Sequence, residues 1–426
     1  TGLISAVMVL GMYQPGTAPA HRVVAAGAVG GSGGSAGSQG GTKGPSSGRG
    51  GGGGGGNGVP GGVTLPSQGV SGGVIHLGSI VTQSGPARST SMADAIIAWE
   101  KSVNAAGGIN GYRISVDGGT ILDDQGNPDL GASEYRQLWE DQKVFAFVGE
   151  CAPLTDEQMI QYVQSNDVPL VGECQSGQNA YTPPSSANQC YCVWVGGPTP
   201  TQNGELGALL MQQVQHWPAS NGQIALVCLD DPTTVQDCRG AQQQYCGSAS
   251  GCPSGALWNG GPQMEQIYDN NYSDLIAQWQ SQGVSHVHLV LDPGSIDRYL
   301  QAASNANFQA QVMNNTVIDD GIAGPNGYSS ANGMYIGTPW TPLDQNTAGM
   351  QRLQQAMATY FPGVRVDLYA QTAWISCLLM EHAIQQMGHN ITEANLITTL
   401  NSIHGWDSGL GPVSYTHLTL PTILRV

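Results

Sequence analysis

From residue 74 onward the chain alternates short apolar runs with amphipathic stretches, and this alternation confines it to a parallel α/β architecture. Residues 74–81, 113–121, 144–149 and 168–172 read as strands, and residues 91–104, 128–142 and 155–165 between them carry helical spacing of apolar side chains. A second series follows, with helices over 203–217, 234–245, 272–282 and 295–305 and strands over 223–229 and 286–291. Apolar runs of this length, separated by amphipathic segments, are strands buried on both faces by crossover helices. The turn-rich residues 176–201 part the two series. The fold expected is therefore α/β, with two Rossmann-like doubly wound lobes.

The first 73 residues have a different texture. Residues 3–12 are apolar and lead to Ala18-Pro19-Ala20, a small-x-small triplet. Residues 1–20 thus read as the remnant of a secretory signal cleaved before His21, or as a truncated anchor. The apolar run is too short to span a bilayer. Residues 21–73 form a glycine-rich linker that cannot bury enough surface to offset chain entropy, so disorder is expected. Its Gly30-Gly31-Ser32-Gly33-Gly34 fits a nucleophile-elbow pattern by composition only, since no strand precedes it and no helix follows. The chain carries a formal net charge of −17, and its lysines are Lys43, Lys101 and Lys143. With no basic stripe, nucleic acid is excluded as a partner. Charged residues make up only 10%, so Gln, Asn, Ser and Thr must supply most of the polar surface.

Nine cysteines suit disulfides in an oxidising compartment, because Cys151, Cys174, Cys190, Cys192, Cys238, Cys246 and Cys252 lie in turn-rich contexts. Cys228 sits in an apolar strand and Cys377 in an apolar helix, and both read as buried thiols. Cys246 and Cys252 are spaced to close a small loop, whereas Cys190 and Cys192 look too close to pair with each other. No paired CxxC spacing supports a zinc site. His286 and His288 share a strand face and are expected to pack against a helix rather than bind metal. The folded region holds no Ser–His–acid set, no phosphate loop ending in Lys-Ser/Thr and no His-Glu-x-x-His, so neither an enzyme nor a cofactor is expected.

Residues 103–114, Val-Asn-Ala-Ala-Gly-Gly-Ile-Asn-Gly-Tyr-Arg-Ile, read as a helix end, a glycine turn and a strand start. Gly107 and Gly108 suit the positive φ that stops a helix. Asp123-Asp124-Gln125-Gly126-Asn127-Pro128 follows. Together these resemble the first helix and second strand of the branched-chain amino-acid (Leu/Ile/Val) binding proteins, type I periplasmic solute-binding proteins of ABC transporters. Val74-Ile75-His76-Leu77-Gly78 with Ser84-Gly85-Pro86 resembles the family's first strand and ligand loop. Asp167-Val168-Pro169-Leu170-Val171, Tyr272-Ser273-Asp274 and Gly411-Pro412-Val413 follow in family order. The resemblance implies two lobes joined by a multi-crossover hinge: residues 74–192 with 337–404, and residues 193–336 with 405–415. Residues 416–426 depart from it and read as adapter-derived sequence or as a divergent last strand.

The resemblance also implies an extracytoplasmic protein that closes its lobes on an amino acid or other small polar ligand and docks, as a monomer, on an ABC permease. A sensor ectodomain of the same fold is the alternative, and an α/β enzyme on a small polar substrate the next. Ligands of open parallel sheets sit beyond the carboxyl ends of the strands. That places Ser84 and Thr90, then Glu150, Cys151 and Ala152, then Glu173, Gln175 and Ser176 on the first lobe's wall. Asp231, Asp292 and Asp320 face them from the second, with Trp340 near the crossover. In the family, hydroxyls and backbone amides of the first lobe hold a carboxylate and a second-lobe acid holds an ammonium. Glu150 and Glu173 depart from that pattern. Cys151 and Cys174 follow neighbouring strands, and a bridge between them would stiffen one wall of the cleft.

Overall fold

The computed structural model describes residues 9–12, 67–85, 88–152, 154–173, 190, 192–194, 198–266, 272–315, 333–343, 345–404 and 406–413. The chain divides into one compact unit, Thr1–Ala18 with Pro66–Val426, and a second, Pro19–Leu65, that lies outside the described residues. Order begins earlier than the linker reading places it. β2 (Val70–Ser71) turns through Gly72 and Gly73, both at positive φ, to pair antiparallel with β3 (Val74–Ile80). The glycines that read as linker are the two turn residues of a hairpin.

The first lobe is built on the sheet order β2-β3-β6-β7-β8, where β6 is Ala146–Glu150, β7 Leu170–Glu173 and β8 Val193–Trp194. Strands β3, β6, β7 and β8 run parallel. One face is covered by α1 (Thr90–Ala105) and the 20-residue α9 (Leu368–Met387), with α8 (Ala348–Tyr360) and α10 (Glu393–Ser402) beside them. The other face packs Ile80, Val144 and Phe147 against Tyr135 of α2 (Pro128–Arg136) and Met159, Ile160 and Val163 of α3 (Asp156–Ser165). Among the described residues, no helix is long and apolar enough to cross a membrane.

The second lobe repeats the plan in the order β1-β13-β12-β11-β9-β10. Its parallel strands are β9 (Ile224–Leu229), β10 (Gln263–Glu265), β11 (His286–Val290), β12 (Gln311–Asn314) and β13 (Tyr335–Thr338). Helices α4 (Pro200–Gln213) and α5 (Pro232–Cys246) cover one face, and α6 (Tyr272–Gln282) and α7 (Pro293–Asn305) the other. Gly204 and Gly240 let α4 and α5 touch backbone to backbone, since a Cβ at either would overlap a carbonyl of the other helix. The backbone of β1 (Val9–Met12), within the apolar run read as a signal remnant, pairs antiparallel with β13.

The structure departs from the sequence reading in several places, each with a local cause. The strand expected over 113–121 is two pieces, β4 (Arg113–Ser115) and β5 (Ile121–Leu122), both pairing with β3. A turn intervenes, in which Gly119 has φ 90° and the Thr120 hydroxyl donates to the Val116 carbonyl. The helix expected over 128–142 widens into a π-type turn at Gln137–Asp141. Val193 and Trp194, assigned to the second lobe, extend the first lobe's sheet, where Trp194 is buried and its Nε1 donates to Asn401 at 3.0 Å. Residues 406–413, also assigned there, pack on the first lobe. Leu410 lies in its core, Trp406 stacks on His382 at 5.1 Å, and the Leu410 carbonyl accepts from Thr341 N–H at 2.7 Å.

Two cysteine expectations fail. Cys228 is bonded to Cys238, because the first turns of α5 lie over the end of β9. Cys190 and Cys192 are bonded to each other, with Cα atoms 5.4 Å apart, a separation a disulfide spans. Cys246–Cys252 closes the expected small loop, and Cys377 is a buried free thiol. Cys151 is also disulfide-bonded, its partner lying outside the described residues.

The glycine turn at 107–111 has the conformation its sequence suggests. Gly107, Gly108 and Gly111 have φ of 104°, 82° and 83°, and Gly108 N–H closes α1 on the Val103 carbonyl at 2.9 Å. Asn110 reaches across to the end of α9, where its Nδ2 donates to the carbonyls of Ile384 at 2.7 Å and Gly388 at 3.0 Å. The turn therefore also satisfies a second helix's orphan carbonyls.

Candidate functional site

The candidate site is the set of loops at the carboxyl ends of both sheets. On the first lobe, the loop after β3 carries Ser84, Arg88 and Thr90, all exposed, and leads into α1. Its N-cap Ser89 makes no side-chain cap bond, and the first turn of α1 has no acid. The Ser91 hydroxyl in that turn donates to the carboxylate of Asp367 at 2.6 Å, while the backbone N–H groups of the helix end favour negative charge.

Asp123 and Asp124 at the end of β5 divide the work of shaping this wall. Asp123 lies at the rim. Its carboxylate accepts Gln83 N–H at 2.8 Å, Ser84 N–H at 3.1 Å and the Ser84 hydroxyl at 2.7 Å. Partial burial acts upward on its carboxyl, but the Ser84 hydroxyl and the amides of Gln83, Gln125 and Ser84 together hold it below the usual range. Asp124 is fully buried and accepts the hydroxyls of Thr82 and Thr155, each at 2.7 Å, on its two oxygens. Glu134 on α2 stands close to both acids. Burial, then the charges of Asp124 and Asp123, push its carboxyl up to about 7.

Glu150 ends β6 with no exposed surface. Cys151 and Ala152 beside it are buried as well. Glu173 is paired in register with Glu150 on β7, while Cys174, Gln175, Ser176 and Asp320 lie outside the described residues. Here the sequence holds a signal its reading passed over. Val148-Gly149-Glu150-Cys151 and Val171-Gly172-Glu173-Cys174 are the same four residues, aligned on adjacent strands. Gly149 and Gly172 both have positive φ, 62° and 77°, and α1 and α9 press on them. A Cβ would strike Ile96 at the first and Ser376 at the second. The repeat marks where helices crowd the strand ends.

On the second lobe the acids are occupied. Asp231 caps α5, accepting Thr233 N–H at 3.0 Å, Thr234 N–H at 3.1 Å and the Thr234 hydroxyl. Burial raises its pKa, the Thr234 and Thr233 bonds oppose this, and Asp292 adds to the rise. Asp292 caps α7 through Ser295 N–H at 3.1 Å and the Ser295 hydroxyl, which accepts in turn from Arg298 at 2.7 Å. Glu265, at the end of β10, helps raise the Tyr272 hydroxyl after burial, the larger cause. The exposed Asp230 accepts from Gln266 at 2.7 Å. Trp340 is 4% exposed and packed in the first lobe's core, its N–H pinned to the Thr338 hydroxyl at 3.1 Å, so it serves the crossover.

Behind this wall lies a polar network that sequence reasoning missed. Asp237 of α5, buried, accepts Asn203 Nδ2 at 2.6 Å and Asn315 Nδ2 at 2.9 Å. Burial pushes its carboxyl up to about 7 against the two asparagines, with Asp231 adding to the rise. His288 packs as expected, bonded through Nδ1 to Tyr245 Oη at 3.0 Å, and burial pushes its pKa down to about 3. No group of three or more His, Cys, Asp or Glu among the described residues could hold a metal ion.

Comparison with known proteins agrees with the fold. Residues 74–419 match the family model described as periplasmic binding protein. No curated protein matches the chain. Among solved structures, the chain is similar to a fatty acid ABC transporter substrate-binding protein from Thermomonospora curvata. They share 17% identity with a TM-score of 0.71, over 84% of this chain and 88% of that one. It is also similar to an ABC transporter solute-binding protein from R. palustris in complex with benzoate (14% identity, TM-score 0.65, 81% and 90% covered). A third is a branched-chain amino acid ABC transporter protein from Thermus thermophilus with bound valine (15% identity, TM-score 0.64, 82% and 87% covered). At these identities the likeness is one of fold.

Proposed function

Because the chain belongs to the type I periplasmic binding proteins, the solute-binding proteins of ABC transporters, we propose that it carries a small carboxylate-bearing ligand to an ABC permease. The observation that supports this ligand class is the asymmetry of the two walls. The first lobe presents the N-terminus of α1 without a side-chain cap, beside exposed Arg88 and Thr90. The second presents α5 and α7 with their N-termini already filled by Asp231 and Asp292. An anionic group is favoured on the first wall and opposed on the second, which suits hydroxyl or ammonium groups instead. The solved relatives named above bind a fatty acid, benzoate and valine, each of which carries a carboxylate. Closure of the lobes on the ligand would create the surface that the permease reads. Delivery is extracytoplasmic, by a monomer.

The test is mass spectrometry of compounds carried through purification, followed by calorimetry and tryptophan fluorescence with L-valine, L-leucine, benzoate, 4-hydroxybenzoate and decanoate. Saturable binding of at least one, without turnover, is the expected result. Binding only of uncharged sugars or of cations lacking a carboxylate would overturn the ligand class, and conversion of a bound compound would overturn transport.

A further inference from the structure

We propose that Asp124 is a positioning residue for ligand binding, holding the loops after β3 and β6 in one arrangement while touching no ligand itself. The proposal rests on the reading of these loops as the ligand wall of the first lobe. Asp124 has no exposed surface, so its effect must pass through its partners. Thr82 and Thr155 belong to two loops far apart in the chain, 42 and 31 residues from Asp124, and each hydroxyl meets one of its two oxygens at 2.7 Å. The strand ladder alone does not hold these loops. It ends at the bridge between Val81 and Cys151 and the bond from Thr82 N–H to the Cys151 carbonyl at 2.9 Å.

Two further observations bear on the same residue. Thr155 is the N-cap of α3, yet its hydroxyl makes no cap bond to that helix and is committed to Asp124 instead. The side chain is held in that direction by α2, where Gly131 faces it so closely that a Cβ would overlap the Thr155 hydroxyl and methyl. Asp124 also sets its own loop, accepting Gly126 N–H at 3.1 Å on the oxygen that takes Thr82 and Asn127 N–H at 2.8 Å on its carbonyl. Three loops of the wall thus meet at one carboxylate. A neutral side chain of the same shape supplies one acceptor where the carboxylate supplies two.

The experiment compares the full chain with Asp124→Asn, Asp124→Ala, Thr155→Val and Thr155→Ser. It reads amide hydrogen exchange over residues 82–90 and 154–158, melting temperature, and affinity for L-valine, benzoate and decanoate. Expected in Asp124→Asn and Asp124→Ala is exchange at least about tenfold faster in both segments together, from the loss of charge-assisted bonds. Thr155→Val raises exchange over 154–158, and Thr155→Ser restores it to the wild-type rate. For whichever probe the wild type binds, Kd rises about tenfold in Asp124→Asn and Thr155→Val and returns in Thr155→Ser. Confinement of faster exchange to residues 122–128 overturns the proposal, as does equal damage from Thr155→Ser and Thr155→Val, or an unchanged Kd in Asp124→Asn. If the wild type binds none of the three probes, the ligand reading fails, and the exchange comparison still decides the role of Asp124. The Thr155 pair decides it if Asp124→Ala does not fold.

Discussion

Replacing Asp237 by asparagine should make the protein more stable at alkaline pH and no more stable at acidic pH. Burial raises this carboxyl from 3.8 to about 7, so the folded state favours its neutral form. A carboxyl whose folded pKa exceeds its unfolded value contributes stability that is fully present below pH 4 and is lost as pH rises through 7. At about 1.4 kcal/mol per pH unit, the ionised group withdraws on the order of 3–4 kcal/mol by pH 8. Asparagine keeps the shape and never ionises. Its amide gives up one of the two acceptors that Asn203 and Asn315 use, as the protonated carboxyl does at low pH. Chemical denaturation of wild type and Asp237→Asn from pH 4.5 to 8.5 measures the difference. The variant should match the wild type within about 1 kcal/mol near pH 4.5 and exceed it by roughly 2–4 kcal/mol at pH 8.5, or about 5–10 °C in melting temperature. A gap that does not widen with pH would show that Asp237 is ionised throughout and that the two asparagines outweigh burial.

Three other perturbations have definite outcomes. His288, pushed down to about 3 by burial, stabilises the fold above its unfolded pKa of 6.5 and withdraws that support as pH falls toward 3. His288→Gln should therefore resist acid unfolding by about 2 kcal/mol at pH 5 relative to its own deficit at pH 7.5, read by circular dichroism. Gly172→Ala places a methyl into the Ser376 side chain at a φ of 77° and should cost about 2–4 kcal/mol; Ser376→Gly in the same chain should recover part of it in urea melts. Replacing Cys228 and Cys238 together by Ala or Ser should lower stability by about 2–3 kcal/mol, with the reduced wild type behaving alike; equal midpoints in both would refute a bond there.

The elements were legible where local rules act alone. Apolar runs of strand length between amphipathic segments specify a doubly wound sheet, and β9, β11 and α6 lie where that pattern puts them, within a residue or so. The glycines at 107, 108 and 111 were readable because only a residue without a Cβ tolerates those φ values cheaply. Boundaries between lobes were less so. Trp194, Trp406 and Leu410 have the same apolar character whichever core receives them, and only the contacts with Asn401, His382 and Thr341 assign them to the first lobe.

What the sequence by itself determined is the class of scaffold and the edge of its strands where loops gather. It also marked the acids at 231 and 292 as residues of that edge. The tertiary structure decided what each acid does. Asp123 and Asp124 differ by one position, yet one holds a loop rim beside solvent and the other is sealed among two threonine hydroxyls. Asp231 and Asp292 read as ligand acids but close their own helices. Cys228 reads as a buried thiol but meets Cys238 across a strand–helix turn. The physical reason is common to all. A side chain's chemistry is local, whereas its burial and its partners come from segments tens of residues away, brought beside it only when the sheets and helices pack.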